Sequence, residues 1–344
     1  LEIIPCILNV FVNIENTGQA VEFEMKFNYR RPMFEILKYV WEMEDYRAKM
    51  IQLANHAAEH ILDEIPPLFL RFVNLLVNDA IFLLDEALNY MKQIQEEQAE
   101  KPQWDDLPPN ERTNRQSQYM HIGRLARYHN IMGLDNIKML DMLTKEIAAV
   151  FTHSTMVDRI AAMLNYFLKN LVGPERKSFK VQNLEEFAFR PAEVVKHICK
   201  IYTHYSECHS FLQAISSDGR SYSPELFDQA KSVLDNHIRD MELSESLKNV
   251  SAKVEKLAAA TLKDDELFAD APDEFLDAIM SHLMKDPVRL PSSGQIVDRP
   301  TIARHILSDQ NDPFNRSPLT LDMVIPETEL KKRIDNWMAA KRQE

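Results

Sequence analysis

Glycine is scarce in this chain, 6 in 344 residues. Doubly wound sheets and β-sandwiches need many tight turns, so the scarcity argues against both and favours helix. Cysteine is rarer still. The three present, Cys6, Cys199 and Cys208, show no disulfide-scaffold spacing and fit a reducing compartment. No apolar run reaches the length of a membrane span, and no basic stretch precedes an apolar one near the start, so neither a span nor a signal peptide is visible. Phosphate-cradling glycine loops and the G-x-S-x-G elbow are missing too.

A length of 344 residues exceeds one ordinary compact domain, so at least two units are expected. The chain starts at Leu1 rather than Met, which reads as a boundary inside a longer protein. With 45% hydrophobic residues there is ample core material. A net charge of −13 disfavours nonspecific binding to nucleic acid or to an acidic membrane surface.

Most of the chain shows helical periodicity. Residues 1–20 lack a clean period, and 13–18 read as a loop. From Pro32, the positions Phe34, Leu37, Trp41, Tyr46, Met50, Leu53 and Ala57 recur at three- and four-residue steps. A long helix follows Pro67, with Phe69, Phe72, Val73, Leu76, Ala80, Leu83, Leu84, Ala87, Leu88 and Met91 on one face. The same spacing predicts helices at about 110–130, 135–150, 154–171, 191–215 and 224–243. Successive amphipathic helices with short connections suggest an elongated helical-repeat, armadillo-like core, although no strict repeat is present. An acidic stretch at 263–272 marks a junction, giving a helical unit over 1–267 and a second unit over 268–344.

Two upstream clusters have a chemical reading and a plainer one. His56-Ala57-Ala58-Glu59-His60 matches the H-x-x-E-H of inverted zinc proteases, but no third ligand follows and the pattern is short. His197, Cys199, His204, Cys208 and His209 form the second, with His197, His204 and Cys208 roughly on one helical face. Without paired C-x-x-C spacing, packed helix residues are the plainer reading.

The second unit is read as a hairpin and two helices. Val288 to Leu290 and Ile296 to Val297 pair around a turn at 291–294, and Asp298 stands where it would cap a helix beginning near Pro300. Ile302, Ile306 and Leu307 are expected to face inward, and a last helix carries Leu330, Ile334, Trp337 and Met338 on one stripe. Phe275, Ile279 and Leu283 are expected to pack under a first loop. Pro287 opens the hairpin, and the run Asp312-Pro313-Phe314-Asn315-Arg316-Ser317-Pro318 makes a second loop. Zinc fixes two such loops in a RING finger through Cys and His ligands. No cysteine follows Cys208, so these loops must be held by proline-restricted dihedrals, side-chain hydrogen bonds and ion pairs.

That outline, a RING finger without metal ligands, resembles the U-box, and residues 272–337 resemble the U-box of the chain-elongating ubiquitin ligases of the ubiquitin-fusion-degradation pathway. The resemblance implies a mostly α protein with a small α+β U-box after a helical-repeat core. It implies a ligase that forms no covalent intermediate and uses no cofactor or metal. Its U-box would recruit a ubiquitin-charged conjugating enzyme, whose ubiquitin passes directly to a substrate or to a substrate-attached ubiquitin chain. Ile279, Met284, His305, Pro313 and Phe314 match the positions that face the conjugating enzyme. Core packing is the alternative for Ile279, Met284 and Pro313, and helix packing for His305. Pro287, Asp298, Asn315 and Pro318 match structural positions, and Asp298 and Asn315 also read as simple caps. Arg316 matches an arginine that bridges the conjugating enzyme and the donor ubiquitin, a task suited to a planar five-donor fork; its alternative is an ion pair bracing the loop. The further partners implied are ubiquitinated substrates and an AAA-type ATPase segregase, with no nucleic acid and no membrane. A monomer in cytoplasm and nucleus is implied as well. A helical-repeat scaffold whose U-box-like end only docks is the competing reading.

Overall fold

The structure, a computed structural model, describes residues 2–14, 25–61, 63 and 65–342. The chain is mostly helical. Helix α1 spans Ile3–Asn13 and buries Ile4, Ile7, Leu8, Phe11 and Val12. Sequence periodicity misses it because Ile3 and Val10, on the opposite side, are also apolar, which blurs the stripe. Helix α2, Met25–Trp41, starts well before the expected Pro32 and carries that proline inside it. Its buried Arg30 donates to Asp79 Oδ2 at 2.5 Å and to the Phe11 carbonyl at 3.0 Å, so a buried charge is paired as burial requires. Helix α3 is Glu44–Glu59. Residues 15–20 of the expected irregular start lie outside the described residues.

The long pair α4, Leu68–Glu100, and α5, Pro109–Thr144, forms the middle of the stack. Two helices were expected where α5 runs unbroken. Gly133 looks like a breaker in sequence, yet a Cβ there would come within 2.9 Å of Leu84 Cδ2. The glycine lets α5 lie close against α4, and packing overrides its poor helix propensity. Helix α6 is Val157–Val172. The expected helix at 191–215 is two, α7 (Pro191–His204) and α8 (His209–Ser216), with a turn in which Tyr205 Oη donates to the Ile147 carbonyl at 2.6 Å. Helix α9, Glu225–Val233, passes through a wider turn at Leu234–Ile238 that ends on left-handed Arg239. Helix α10 is Met241–Leu267. One continuous apolar cluster runs through these helices from Ile4 to Val254. Among the described residues no helix is long and apolar enough to cross a membrane.

Beyond α10 the chain builds a three-stranded antiparallel sheet from β1 (Pro287–Arg289), β2 (Ile296–Asp298) and β3 (Ile325–Pro326), in the order β2-β1-β3. Val288 faces Val297 across one ladder and Pro326 across the other. Helix α11, Arg299–Ser308, has Pro300 in its first turn, where a missing N–H costs nothing. Helix α12 is Thr328–Lys341. Two small apolar clusters hold this unit. Val288, Leu290, Val297, Ile302, Leu319 and Val324 form one; Phe275, Met284, Leu330 and Ile334 form the other, with Trp337 and Met338 against it. An ion pair at 2.8 Å joins Arg304 of α11 to Asp158 in the first turn of α6.

Candidate functional site

Two loops flank the hairpin, and a buried aspartate fastens each. In the first, Asp277 Oδ1 accepts the N–H groups of Ile279 and Met280, both at 2.7 Å, and its Oδ2 accepts Asp298 N at 2.5 Å. One carboxylate thus folds the loop and ties it to the end of β2. In the second loop Asp312 Oδ1 accepts Phe314 N at 2.9 Å, while its Oδ2 accepts the Ser292 hydroxyl at 3.0 Å from the hairpin turn. Asp277 and Asp312 are both buried. Sequence reasoning missed this role for both, although an aspartate two residues before an apolar one is the signal of a side chain bonding its own backbone two positions on.

Asp298 corrects an expectation. It occupies the cap position of α11, but its side chain makes no cap bond there. Its Oδ1 instead accepts Asp286 N at 2.6 Å and Lys285 N at 3.2 Å, and its Oδ2 lies 3.4 Å from His282 Nε2. Burial pushes its carboxyl up, but the bonds from His282 and from the backbone of Asp286 and Lys285 outweigh it, and the group is held below its ordinary value. His282 is raised in turn, chiefly by its bond to Asp298.

The residues matched to the partner-facing positions divide. Ile279 is 39% exposed and does not pack under its loop as expected; Phe314 is 43% exposed, and Pro313 is half-buried. Met284 is corrected: at 1% exposure it lies in the cluster of Phe275, Leu330 and Ile334 and supports the first loop from inside. The contact of α12 with that loop, invisible in a local pattern, decides this. His305 is half-buried, with Nε2 3.1 Å from Asn311 Oδ1, so it fastens α11 to the root of the second loop. Asn315 Nδ2 donates to Ser292 Oγ at 2.9 Å, and its Oδ1 accepts Ser317 N at 3.0 Å. Pro287 is buried at the head of β1, and its carbonyl accepts Glu327 N at 3.0 Å; Pro318 pairs with Asn311 across the base of the second loop.

Arg316 is exposed and has a backbone φ of +62°, a region costly for a residue with a Cβ. Among the described residues its side chain has no ion pair, so the loop-bracing alternative has no partner.

Upstream, the His56 and His60 rings lie with centroids 4.3 Å apart and planes tilted by 45°, and His60 Nδ1 lies 2.9 Å from Asp63. His197 Nδ1 lies 2.6 Å from Asp141 Oδ2, and His204 Nε2 lies 3.5 Å from Asp141 Oδ1, so both histidines are tied to α5. Burial pushes the Cys199 thiol far up, and Cys208 Sγ sits 3.3 Å from Ser210 Oγ. No group of three or more His, Cys, Asp or Glu among the described residues is placed to hold a metal ion.

The two clamped loops thus leave Ile279, Phe314 and the Arg316 guanidinium exposed, and no cysteine follows Cys208 in the sequence. Comparison with known proteins places the chain in a family. A sequence profile described as the ubiquitin elongating factor core matches residues 1–255, and the U-box domain profile matches residues 271–343. The ubiquitin conjugation factor E4 A of Bos taurus is 48% identical over 340 residues, covering 98% of this chain and 32% of the relative. A probable ubiquitin conjugation factor E4 of Arabidopsis thaliana is 39% identical, over 96% of this chain and 32% of its own length. The E4 ubiquitin-protein ligase UFD2 of Saccharomyces cerevisiae is 34% identical, over 98% and 35%. The chain spans about a third of the length of the curated relatives it matches. Its core match covers most of the chain and is followed by the match of the small unit: this protein belongs to the ubiquitin elongating factor core family and carries a U-box domain.

Proposed function

We propose that this protein is a ubiquitin ligase that extends ubiquitin chains, acting through its U-box on a ubiquitin-charged conjugating enzyme. The helical unit, taken as residues 1–267, would carry substrate or partners, and the unit over 268–344 would carry the enzyme. Ile279, Pro313 and Phe314 supply apolar contact for the enzyme, and the buried carboxylates of Asp277 and Asp312 hold that contact in shape before binding, which lowers the entropic cost of docking. The partner's cysteine carries ubiquitin as a thioester. An acceptor lysine attacks the thioester carbonyl, the new isopeptide bond forms, and the thiolate leaves on the partner enzyme. No bond to this chain is made.

The observation that carries the reading is Arg316. It is exposed, without an ion pair among the described residues, and kept in a backbone conformation that glycine would hold at lower cost. A guanidinium there can donate to the conjugating enzyme and to the ubiquitin at once, restricting the thioester to attack-ready poses. Ubiquitinated substrates, cooperation with an AAA-type ATPase segregase, a monomeric state and a place in the cytoplasm and nucleus belong to the same proposal. The free thiols Cys6, Cys199 and Cys208 suit such a compartment.

Extension of a ubiquitin-fused substrate, with a panel of conjugating enzymes, tests this. Chains made by the wild type and lost by Arg316→Ala, with enzyme affinity kept within about twofold, are the expected result. Equal activity in both would reduce Arg316 to a surface residue, and no chains with any enzyme would turn the U-box into a docking module.

A further inference from the structure

The two loops of the U-box repeat one frame. Each closes on an antiparallel bridge, Leu276 with Leu283 in the first and Asn311 with Pro318 in the second. Inside, Asp277 N donates to the His282 carbonyl and Asp312 N to the Ser317 carbonyl, both at 2.8 Å. Ser281 N returns to the Asp277 carbonyl at 2.8 Å, and Arg316 N to the Asp312 carbonyl at 2.7 Å. Ser281 and Arg316, at φ +56° and +62°, are the left-handed residues of the two copies. This register pairs Ile279 with Phe314, Met280 with Asn315 and Ser281 with Arg316.

The middle pair does different work in the two copies. Asn315 turns back on its own loop and on the hairpin turn, bonding Ser317 N and Ser292 Oγ. Met280 fastens nothing with its side chain. Its N–H is fixed on Asp277 Oδ1, its side chain is 52% exposed, and it belongs to neither apolar cluster of this unit. An apolar side chain left about half exposed on a rigid backbone gives the fold little burial energy, and it stands beside exposed Ile279 on the same carboxylate clamp.

We propose that Met280 is a specificity-determining contact for the conjugating enzyme. The inference rests on the reading of this U-box as a conjugating-enzyme docking site and deepens it. Ile279 and Phe314, alike in both loops, supply the contact every partner uses. Met280, present in one copy only, favours enzymes that offer an apolar side chain opposite it and gives nothing to those that offer a polar one. An unbranched thioether adapts to partners of different shape, so the position grades a set of enzymes rather than selecting one.

The test is a titration of wild type, Met280→Ser, Met280→Leu and Ile279→Ala with a panel of purified conjugating enzymes, alongside the melting temperature of each variant. Met280→Ser should lower affinity by about 5- to 20-fold for some enzymes and by less than about twofold for others. Met280→Leu should recover most of that loss, and the melting temperature should not move in either variant. Ile279→Ala should weaken every enzyme. An equal loss across the panel would make Met280 a general contact and overturn its specificity role. No loss for any enzyme, while Ile279→Ala still weakens all, would overturn the proposal and leave the docking reading standing. If Ile279→Ala also changes nothing, the docking reading fails first and takes this inference with it.

Discussion

The helical unit and the U-box solve the same problem with different means. Among the described residues the first buries a large apolar cluster that runs from Ile4 to Val254, with a small one at Phe27, Leu83 and Met132; the second has only two small clusters, of six and four buried side chains. So small a core cannot also dictate loop conformation. In the U-box, carboxylates do that work. Asp277 and Asp298 accept backbone N–H groups across sequence gaps, and Asp312 accepts the Phe314 N–H within its loop and the Ser292 hydroxyl from the hairpin turn. The lesson is that shape in a small unit can rest on a few buried acceptors, each strong because its donors have no other partner.

The sharpest way to break that contrast is a pair of substitutions read locally by hydrogen exchange. Phe72→Ala removes a fully buried ring from the helical unit and should cost about 3–5 kcal/mol there. Asp277→Ala removes no core volume of note, yet it leaves three N–H groups without their acceptor and should cost the U-box about 3 kcal/mol or more. Each loss of protection should stay in its own unit. If Asp277→Ala spares the first loop, the carboxylate clamp is not what holds it.

Next in size is Arg316→Gly. Glycine takes the left-handed conformation freely, so this variant should gain roughly 0.5–1 kcal/mol in the U-box while losing ubiquitin transfer. A loss of stability would mean that the arginine side chain supports the loop after all. Melting and single-turnover discharge, measured on one preparation, separate the two.

The smallest effect concerns pH. His282 has a raised value in the folded state, so its pairing contributes fully below its ordinary 6.5 and fades as pH rises through the raised value. Asp298 and Asp312 are lowered; their contributions are present above the ordinary 3.8 and fade as pH falls through the lowered values. The U-box should therefore be most stable between these limits. His282→Gln should flatten the alkaline side, modestly, because the imidazole is half-exposed and screened. The Trp337 indole signal, followed on heating at several pH values, checks it.

Much of the architecture was legible in the chain. Few glycines and long three-and-four spacings marked a helical protein, and the strands around residues 291–294 were placed to within a residue. The second loop stands out locally by its prolines and polar residues, whereas the first, closed by Leu276 and Leu283, holds no proline, and the local pattern placed the first proline loop later, at residues 285–288. Helix α1 was not found, since a helix apolar on two sides has no stripe to read. Nor was the unbroken α5, because the space that Gly133 leaves for Leu84 belongs to another helix.

The sequence by itself determined the helical class, the hairpin and the proline-bearing loop with the arginine at 316. Local pattern suffices for these, because propensity, periodicity and turn chemistry act over a few residues. Only the tertiary structure decided which apolar loop residues reach solvent. Met284 goes inward because α12 covers it, while Ile279 and Met280 stay outside on a backbone clamped by Asp277. Core and contact surfaces draw on the same apolar side chains, and what separates them is whether a distant element arrives to cover them.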